Sequence, residues 1–261
     1  MMRSLLTAAT GMEAQQITID TIANNLANVN TTGFKRSRAN FHDLLYQTLR
    51  APGQNSTTGT IVPSGIQIGA GSRVSNVEKM FNEGAIRITN RGLDMMIKGE
   101  GFFRIQKDDG SLAYTRDGSF KLDNTGRLVT GEGFPVVPEI VVPPGVTHDR
   151  IQIGMDGVVS VRIEGDTQEI GQMQLANFIN PTGLDSLGRN LFGATQASGE
   201  PIISKPNANG FGPLGQGELE GSNVNIVEEM VNMITGQRAY EINSKMIQTG
   251  DQMLQETNRI R

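Results

Sequence analysis

Apolar side chains recur every seven residues near the start of the chain. The repeat consists of Leu5, Met12, Ile19 and Leu26, with Ala8, Ile22 and Val29 three positions after members of that set. Gln15 is the one polar residue at these positions. Alternating spacings of three and four are typical of the apolar seam of a coiled coil. The pattern predicts one long helix over residues 4–34, of which residues 4–29 pack against a second helix.

The other faces of this helix carry almost no charge. Glu13 and Asp20 are the only charged residues between positions 4 and 34, whereas a solvated helix face normally carries interspersed Lys and Glu. Four of the polar residues follow i, i+4, i+7, i+11 and would share one face of the helix. They are Thr21, Asn25, Asn28 and Thr32. Two interpretations stay open, because this face is either exposed to solvent or makes buried amide contacts between neighbouring subunits.

The last forty residues return to the same pattern. Ile226, Met233, Tyr240, Ile247 and Leu254 repeat by sevens, and they predict a helix over residues 225–260. Asn225 stands before it as an N-cap, with Glu228 three residues on. A second stripe consists of Ala239, Met246, Met253 and Ile260. Two stripes predict two contact directions, one toward the N-terminal helix and one toward neighbouring molecules.

Between the two helices the pattern changes to short alternating runs. Residues 72–221 read as an all-β domain, because strand-like runs alternate with turns. The predicted turns are Asp108-Asp109-Gly110, Asp117-Gly118, Asp123-Asn124-Thr125-Gly126 and Met155-Asp156-Gly157. Residues 35–71 form a junction and an extended hairpin arm, in which Ile61-Val62 and Ile66-Gln67-Ile68 flank a Pro-Ser-Gly turn. The predicted fold class is therefore α+β. Its segments are an N-terminal helix (1–34), the junction and arm (35–71), the β domain (72–221) and a C-terminal helix (222–261).

Composition and motifs argue against an enzyme. The net charge of −4 disfavours a nucleic-acid platform, and the absence of cysteine excludes disulfides and thiolate metal sites. His42 and His148 are too few for a histidine metal cluster, and no phosphate-binding or GxSxG motif occurs. We expect no catalytic, metal or cofactor site. The basic cluster of Lys35, Arg36 and Arg38 is interpreted as a solvated or inter-subunit charged face rather than an anion site.

Several long runs resemble bacterial flagellar rod and hook proteins. They are IANNLANVNTTGFK from Ile22, GEGFFRI and YTRDGSFKLDNTGRL, ANFINPTGLDSLGRNLFGAT from Ala176, and VNIVEEMVNMITGQRAYEINSKMIQ from Val224. Together they extend over nearly the whole chain, and the similarity is greatest to the distal-rod members. The start, MMRSLLTAATGMEAQQ, lacks the apolar core of a cleaved signal peptide. The resemblance instead implies export through the flagellar type III apparatus.

The resemblance implies a structural function. A distal-rod subunit polymerises into a hollow periplasmic shaft that transmits torque from motor to hook. Its implied partners are further copies of itself, other rod subunits, hook subunits and the surrounding ring bushing proteins. The implied assembly residues are the two heptad sets together with Asn25 and Asn28. The alternatives are a proximal rod or hook subunit, a cell-wall glycan-binding or lytic β protein, and a secreted adhesin.

Overall fold

The computed structural model describes residues 2–51, 53, 64–147, 150–163 and 166–259. The chain begins and ends in helices, α1 (Met2–Ala27) and α2 (Ile226–Arg259), with short strands between them that pair antiparallel. The first strands are β1 (Ser37–Asp43), β2 (Tyr46–Arg50), β3 (Ile66–Gly69), β4 (Ser72–Lys79), β5 (Ile86–Ile88), β6 (Met95–Ile97), β7 (Phe102–Gln106), β8 (Leu112–Thr115), β9 (Lys121–Leu122) and β10 (Leu128–Val129). The others are β11 (Ile151–Ile153), β12 (Val158–Ile163), β13 (Asp166–Gln172), β14 (Leu175–Asn177), β15 (Asp185–Gly188), β16 (Leu191–Gly193), β17 (Ile202–Ser204), β18 (Leu214–Gln216) and β19 (Glu218–Glu220). This confirms the predicted α+β class.

The chain divides into two compact units. The helical unit contains Met1–Ala27, Ser37–Glu78 and Asn225–Arg261, and the β unit contains Asn28–Arg36 and Lys79–Val224. Of the predicted junction and arm, residues 35–36 belong to the β unit, and the described residues from Ser37 onward belong with the helices. Whether residues 72–221 fold alone stays a prediction. Of the predicted arm hairpin, Ile61-Val62 and the proline of its turn lie outside the described residues, while Ile66–Gly69 pairs with Tyr46–Arg50.

In the helical unit, α1 lies against α2 and against strands. Gly236 of α2 lies against the Ile19 side chain, and Gly250 lies against Leu5, so the two helices run antiparallel. β1 also contacts α1, and it pairs with β4. At Gly71, where φ is +120°, an added Cβ would come within 2.2 Å of the Thr10 hydroxyl oxygen. α1 is thus covered on more than one side within its own chain, which explains why it carries so few charges.

The N-terminal helix is shorter than predicted, because α1 ends at Ala27 rather than continuing to residue 34. Turns follow, in which the Thr31 N–H donates to the Asn28 carbonyl at 3.1 Å. Gly33 has φ +69°, and a Cβ there would stand 2.7 Å from the backbone of Arg116. Because Asn28 and Thr32 lie beyond the helix, the four-residue polar face predicted from the spacing is not a helix face.

α2 begins as the sequence predicts. The Asn225 side-chain oxygen accepts hydrogen bonds from the Val227 N–H at 3.1 Å and the Glu228 N–H at 3.4 Å. These donors have no partner within the helix, so the N-cap satisfies them. Glu228 and Glu229 place negative charge in the first turn, where the helix dipole favours it.

The β unit holds nearly all of the described apolar core. A six-stranded sheet has the order β15-β16-β8-β7-β14-β17, and a three-stranded sheet has the order β11-β12-β13. One large cluster of buried side chains includes Met95, Phe103, Phe120, Val161 and Leu175. A second cluster is mainly aromatic and contains Phe102, Tyr114, Phe178 and Phe192. Their rings meet edge to face, as between Tyr114 and Phe178 at 4.8 Å.

Three of the four turns predicted between strands of the β unit are present as hairpin turns. The fourth, Asp117-Gly118, closes no hairpin, because it lies between β8 and β9, which do not pair with each other. The Asp117 carboxylate instead accepts a hydrogen bond from the Ser119 N–H at 3.0 Å. Gly110, Gly126 and Gly157 close the β7–β8, β9–β10 and β11–β12 hairpins, each with φ near +80°. In the first of these turns the Asp109 carboxylate accepts hydrogen bonds from the Ser111 N–H at 2.8 Å and the Ser111 hydroxyl at 2.6 Å. These aspartates are therefore turn residues, as interpreted from their spacing.

Candidate functional site

The described residues offer surfaces rather than a chemical centre. Over the described ranges, no group of three or more His, Asp or Glu residues is placed to hold a metal ion. None of the described helices is long and apolar enough to cross a membrane. The candidate site is therefore the helical unit, where the predicted assembly residues are concentrated.

Two members of the α1 repeat lie against α2. Leu5 approaches Gly250 and Ile19 approaches Gly236. Ile22 is buried, and Met12 and Leu26 are partly buried. A role for Met12, Ile22 and Leu26 in the helix pair stays a prediction.

On α2, the predicted repeat supplies only part of the surface that faces α1. Met233, Ile247 and Leu254 are partly buried, whereas Ile226 and Tyr240 are 46% and 40% exposed. Sequence reasoning missed a second seven-residue repeat, because its members are not apolar. It consists of Glu229, Gly236, Asn243 and Gly250, three of which are buried. The signal was available in the spacing of Gly236 and Gly250 by two heptads, because the missing side chains leave room for the Ile19 and Leu5 side chains of α1.

The second stripe predicted on α2 faces outward in this structure. Met246 and Met253 are about half exposed, and Ala239 is partly buried. Ile260 lies outside the described residues. A contact between this stripe and neighbouring molecules stays a prediction.

Asn25 is buried, and its hydrogen bonds are made within the chain. Its side-chain amide donates to the Ser37 carbonyl at 2.8 Å and to the Glu229 carboxylate at 3.3 Å. Its oxygen accepts from the Ser37 N–H at 2.8 Å. Asn25 thereby joins α1, β1 and α2 at one point. Asn28 is partly buried, and its oxygen accepts from the Thr31 hydroxyl at 3.2 Å.

The β1–β4 ribbon carries polar pairs on its exposed side. The Arg38 guanidinium donates to the Glu78 carboxylate at 2.7 Å. Hydrogen bonds from Asn40 and then from Arg38 lower the pKa of Glu78 below its usual value. On β2, a hydrogen bond to the Asp43 carboxylate raises the pKa of the Tyr46 hydroxyl.

The helical unit exposes far more apolar surface than it buries. Among its described residues, three apolar side chains are fully buried, and they are Ala8, Ala14 and Ile22. Nine large apolar side chains are exposed on α2, namely Ile226, Val227, Met230, Val231, Ile234, Tyr240, Ile242, Met246 and Met253. Eight more are exposed elsewhere in the unit, namely Leu6, Phe41, Leu45, Tyr46, Leu49, Ile66, Ile68 and Val77. Contiguous exposed apolar surface of this kind marks an interaction site.

Five of these residues form what we call the α2 patch: Ile226, Val227, Met230, Val231 and Ile234. Members of the patch are three or four residues apart, so they are neighbours on the first two and a half turns of the helix. A second apolar surface lines a groove between the start of α1 and the β2–β3 hairpin, where Leu6 faces Leu45 and Ile68. Both surfaces are of the type that a polymerising subunit presents to its neighbours.

Comparison with known proteins identifies the family of this chain. A family described as flagella basal body rod protein matches residues 5–35, and one described as flagellar basal body rod FlgEFG protein C-terminal matches residues 216–260. The flagellar hook protein FlgE/F/G D1 domain matches residues 96–161. The chain therefore belongs to the flagellar hook and basal-body rod protein family.

Three of the similar proteins match this chain over at least 99% of their own length. Two from Buchnera aphidicola, of the subspecies Schizaphis graminum and Acyrthosiphon pisum, are 54% and 53% identical over 262 residues and cover 100% of both chains. One from Borreliella burgdorferi is 50% identical over 263 residues, which is 100% of this chain and 99% of the relative. Each is named flagellar basal-body rod protein FlgG.

Proposed function

We propose that this protein is a structural subunit that polymerises into the distal rod of the bacterial flagellum, a hollow shaft that transmits torque from motor to hook. The observation that carries the proposal is the exposed apolar surface of the helical unit. A unit with three buried apolar side chains and seventeen exposed large ones cannot be stabilised by its own core. Packing against further copies would supply the missing burial.

The pairing of α1 with α2 supports an antiparallel coiled coil as the element that these copies share. The 3-4 spacing continues along α1 from Leu5 to Leu26 and along α2 from Glu229 to Leu254. At Gly236 and Gly250, α2 has no side chain to insert as a knob. The Ile19 and Leu5 side chains of α1 lie against these two positions instead. The outward surface of α2 then remains available for neighbouring molecules.

The proposed partners follow from the same role. They are further copies of this chain, other rod and hook subunits at the two ends of the polymer, and ring bushing proteins around it. The proposed location is the part of the basal body that crosses the periplasm. The proposed route is the flagellar type III export apparatus, without cleavage of a signal peptide. Membership of the rod family supports each of these proposals.

The test is polymerisation of Val231→Glu. Val231 lies at the centre of the α2 patch and is 54% exposed, so a charge there costs little in the monomer but would be removed from water in every subunit contact. We expect the critical concentration for filament formation, measured by sedimentation and electron microscopy, to rise at least about tenfold. The melting temperature of the monomer should change little.

The matched control is Met155→Glu, at an exposed turn of the β unit. This variant should polymerise at the wild-type concentration. Equal critical concentrations for Val231→Glu and wild type would remove the α2 patch from the assembly. Failure of the wild-type protein to polymerise when concentrated would contradict the proposed function itself.

A further inference from the structure

Three buried ionic side chains meet inside the β unit. Lys35 and Arg116 both pair with Glu220, and the Arg116 guanidinium lies 3.4 Å from the Glu220 carboxylate. All three side chains are at most 4% exposed. We call this group the ionic clasp. Lys35 was predicted to belong to a solvated basic face, and its burial corrects that prediction.

The clasp is completed by hydrogen bonds to the backbone. The Lys35 ammonium donates to the Asn82 carbonyl at 2.7 Å, and the Gly84 N–H donates to the Glu220 carboxylate at 3.0 Å. The Gly33 N–H donates to the Glu220 carbonyl at 2.8 Å. These hydrogen bonds hold the three side chains in one geometry, although the Arg116 Nε has no hydrogen-bond partner among the described residues.

The same three segments are joined a second time by Asn223. Its side-chain oxygen accepts from the Arg36 N–H at 2.7 Å, and its amide donates to the Met80 carbonyl at 2.8 Å. Residues 28–36, 80–84 and 220–223 are thus fastened to one another at two successive points.

These segments are also where the chain enters and leaves the β unit. The chain passes between the two units after Ala27, Arg36, Glu78 and Val224. Each of these four passages lies within eight residues of Lys35, Asn82 or Glu220. Any force that reaches the β unit through the polypeptide arrives at a segment that the clasp holds.

We propose that the ionic clasp is a mechanical fastening that binds the three entry segments together, so that force carried by the chain reaches the β unit without peeling those segments from it. This inference rests on the proposed function as a torque-transmitting subunit.

Energetics support a mechanical role over a purely stabilising one. Burying charges is costly, and well-packed apolar residues are often at least as stable as a buried ion pair. Burial lowers the pKa of Lys35 and of Arg116, with Glu220 opposing the shift in both cases. Short-range ionic hydrogen bonds nevertheless resist displacement along defined directions, because they require both distance and angle.

The test pulls the full-length monomer by its two termini. This geometry loads residues 28–36 and 218–224 first, because they are the first and last segments of the β unit. Opening the clasp frees residues 28–36 from the rest of the β unit, so that the chain between Arg36 and Lys79 can extend, by at most about 150 Å at about 3.5 Å per residue. That step identifies the event. A triple variant, Lys35→Met and Arg116→Met with Glu220→Gln, removes all three charges, so that none is left buried without a partner. We expect its unfolding at constant force to accelerate about a hundredfold.

A second pulling direction separates mechanics from general stability. Tethers at Leu187→Cys and Ile202→Cys load exposed positions on β15 and β17, the two edge strands of the six-stranded sheet, neither of which carries a clasp residue. Along this direction the triple variant should unfold at the wild-type rate. A control variant, Glu132→Gln, breaks the exposed Arg189–Glu132 pair and should change neither rate.

Equal acceleration along both directions would show that the clasp is only a stabilising contact, and acceleration along neither would also overturn the inference. The variants are measured as monomers. The two proposals can therefore fail separately. If the protein does not polymerise but the pulling rates differ as expected, the proposed function is contradicted and the mechanical role of the ionic clasp is supported.

Discussion

At the scale of single residues, burial in this protein is decided by partners that are distant along the chain. From its sequence neighbours alone, Lys35 is predicted to be solvated, because Arg36 and Arg38 follow it. Its partner Glu220 is 185 residues away. Periodicity and composition contain no information on such a pairing. The turn aspartates, by contrast, were predictable, because the residues that determine their conformation are their immediate neighbours.

Asp109 provides a prediction about pH. The Ser111 hydroxyl, followed by the Ser111 N–H and Lys107, lowers the pKa of Asp109 from 3.8 to about 2. Since the folded-state pKa lies below the unfolded one, the stability that Asp109 contributes is present above about pH 4 and is lost as the pH falls toward 2. Ser111→Ala should raise its titration midpoint, measured by carboxyl NMR. The midpoint of Asp123, whose pKa is lowered by other groups, should stay unchanged, and a Ser111→Ala midpoint equal to wild type would refute this cause.

Asn25 provides the second residue-scale prediction. Asn25→Asp replaces an amide donor by a carboxylate that faces the Ser37 carbonyl and Glu229. A buried group without its donor costs about 1–3 kcal/mol, and more when charged. We therefore expect the free energy of unfolding, obtained from urea titration of the helical circular dichroism signal, to fall by at least about 2 kcal/mol.

The matched control for Asn25→Asp is Gln16→Glu, the same change of amide to acid at an exposed position of α1. It should leave the urea midpoint within error of wild type. If both variants behave alike, the hydrogen bonds of Asn25 do not stabilise α1 against β1 and α2.

At the scale of elements, heptad spacing predicted the two helices and the face of α1 that meets α2. It did not predict that α1 ends at Ala27. The segment that follows α1 lies close to a part of the chain that is distant in sequence, since a Cβ at Gly33 would stand 2.7 Å from the backbone of Arg116. Heptad spacing also missed the Glu229–Gly250 repeat, since hydrophobicity alone was used to find the seam. A search for apolar residues alone does not find glycines that make room for the side chains of a partner helix.

Gly236 tests this interpretation of the helix pair. An added Cβ would lie 3.4 Å from the Ile19 Cγ1, an ordinary contact, while Ala is about 1 kcal/mol more favourable than Gly in a helix interior. Gly236→Ala should therefore raise the thermal midpoint of the helical signal. The control is Gly250→Ala, where the added Cβ would stand 2.9 Å from the Leu5 side chain, and the gain should be smaller. A larger gain at Gly250 would contradict the observed spacing.

At the scale of the whole molecule, the two units differ in what stabilises them. The β unit has its own apolar clusters, which the sequence indicated through self-contained turns and alternating strands. The helical unit has no comparable core. The near absence of charge on α1 predicted that its polar faces are covered. It did not predict what covers them, because part of the cover is β1 of the same chain.

This difference predicts separate behaviour of the two units on assembly. Isolated helix pairs with little burial are marginal in water, so amide hydrogens of α1 and α2 should exchange within seconds to minutes in the dilute monomer. Amides of β7, β8 and β14 lie in the interior of the six-stranded sheet and should stay protected. Polymerisation should protect the helices and raise the helical circular dichroism signal, because packing between subunits supplies the burial that the monomer lacks. The measurement is hydrogen exchange by mass spectrometry on monomer and filament, with Val231→Glu as the variant that stays monomeric. Full protection of α2 in the dilute wild-type monomer would mean that the helix pair is stable alone, and assembly would then be docking of preformed helices.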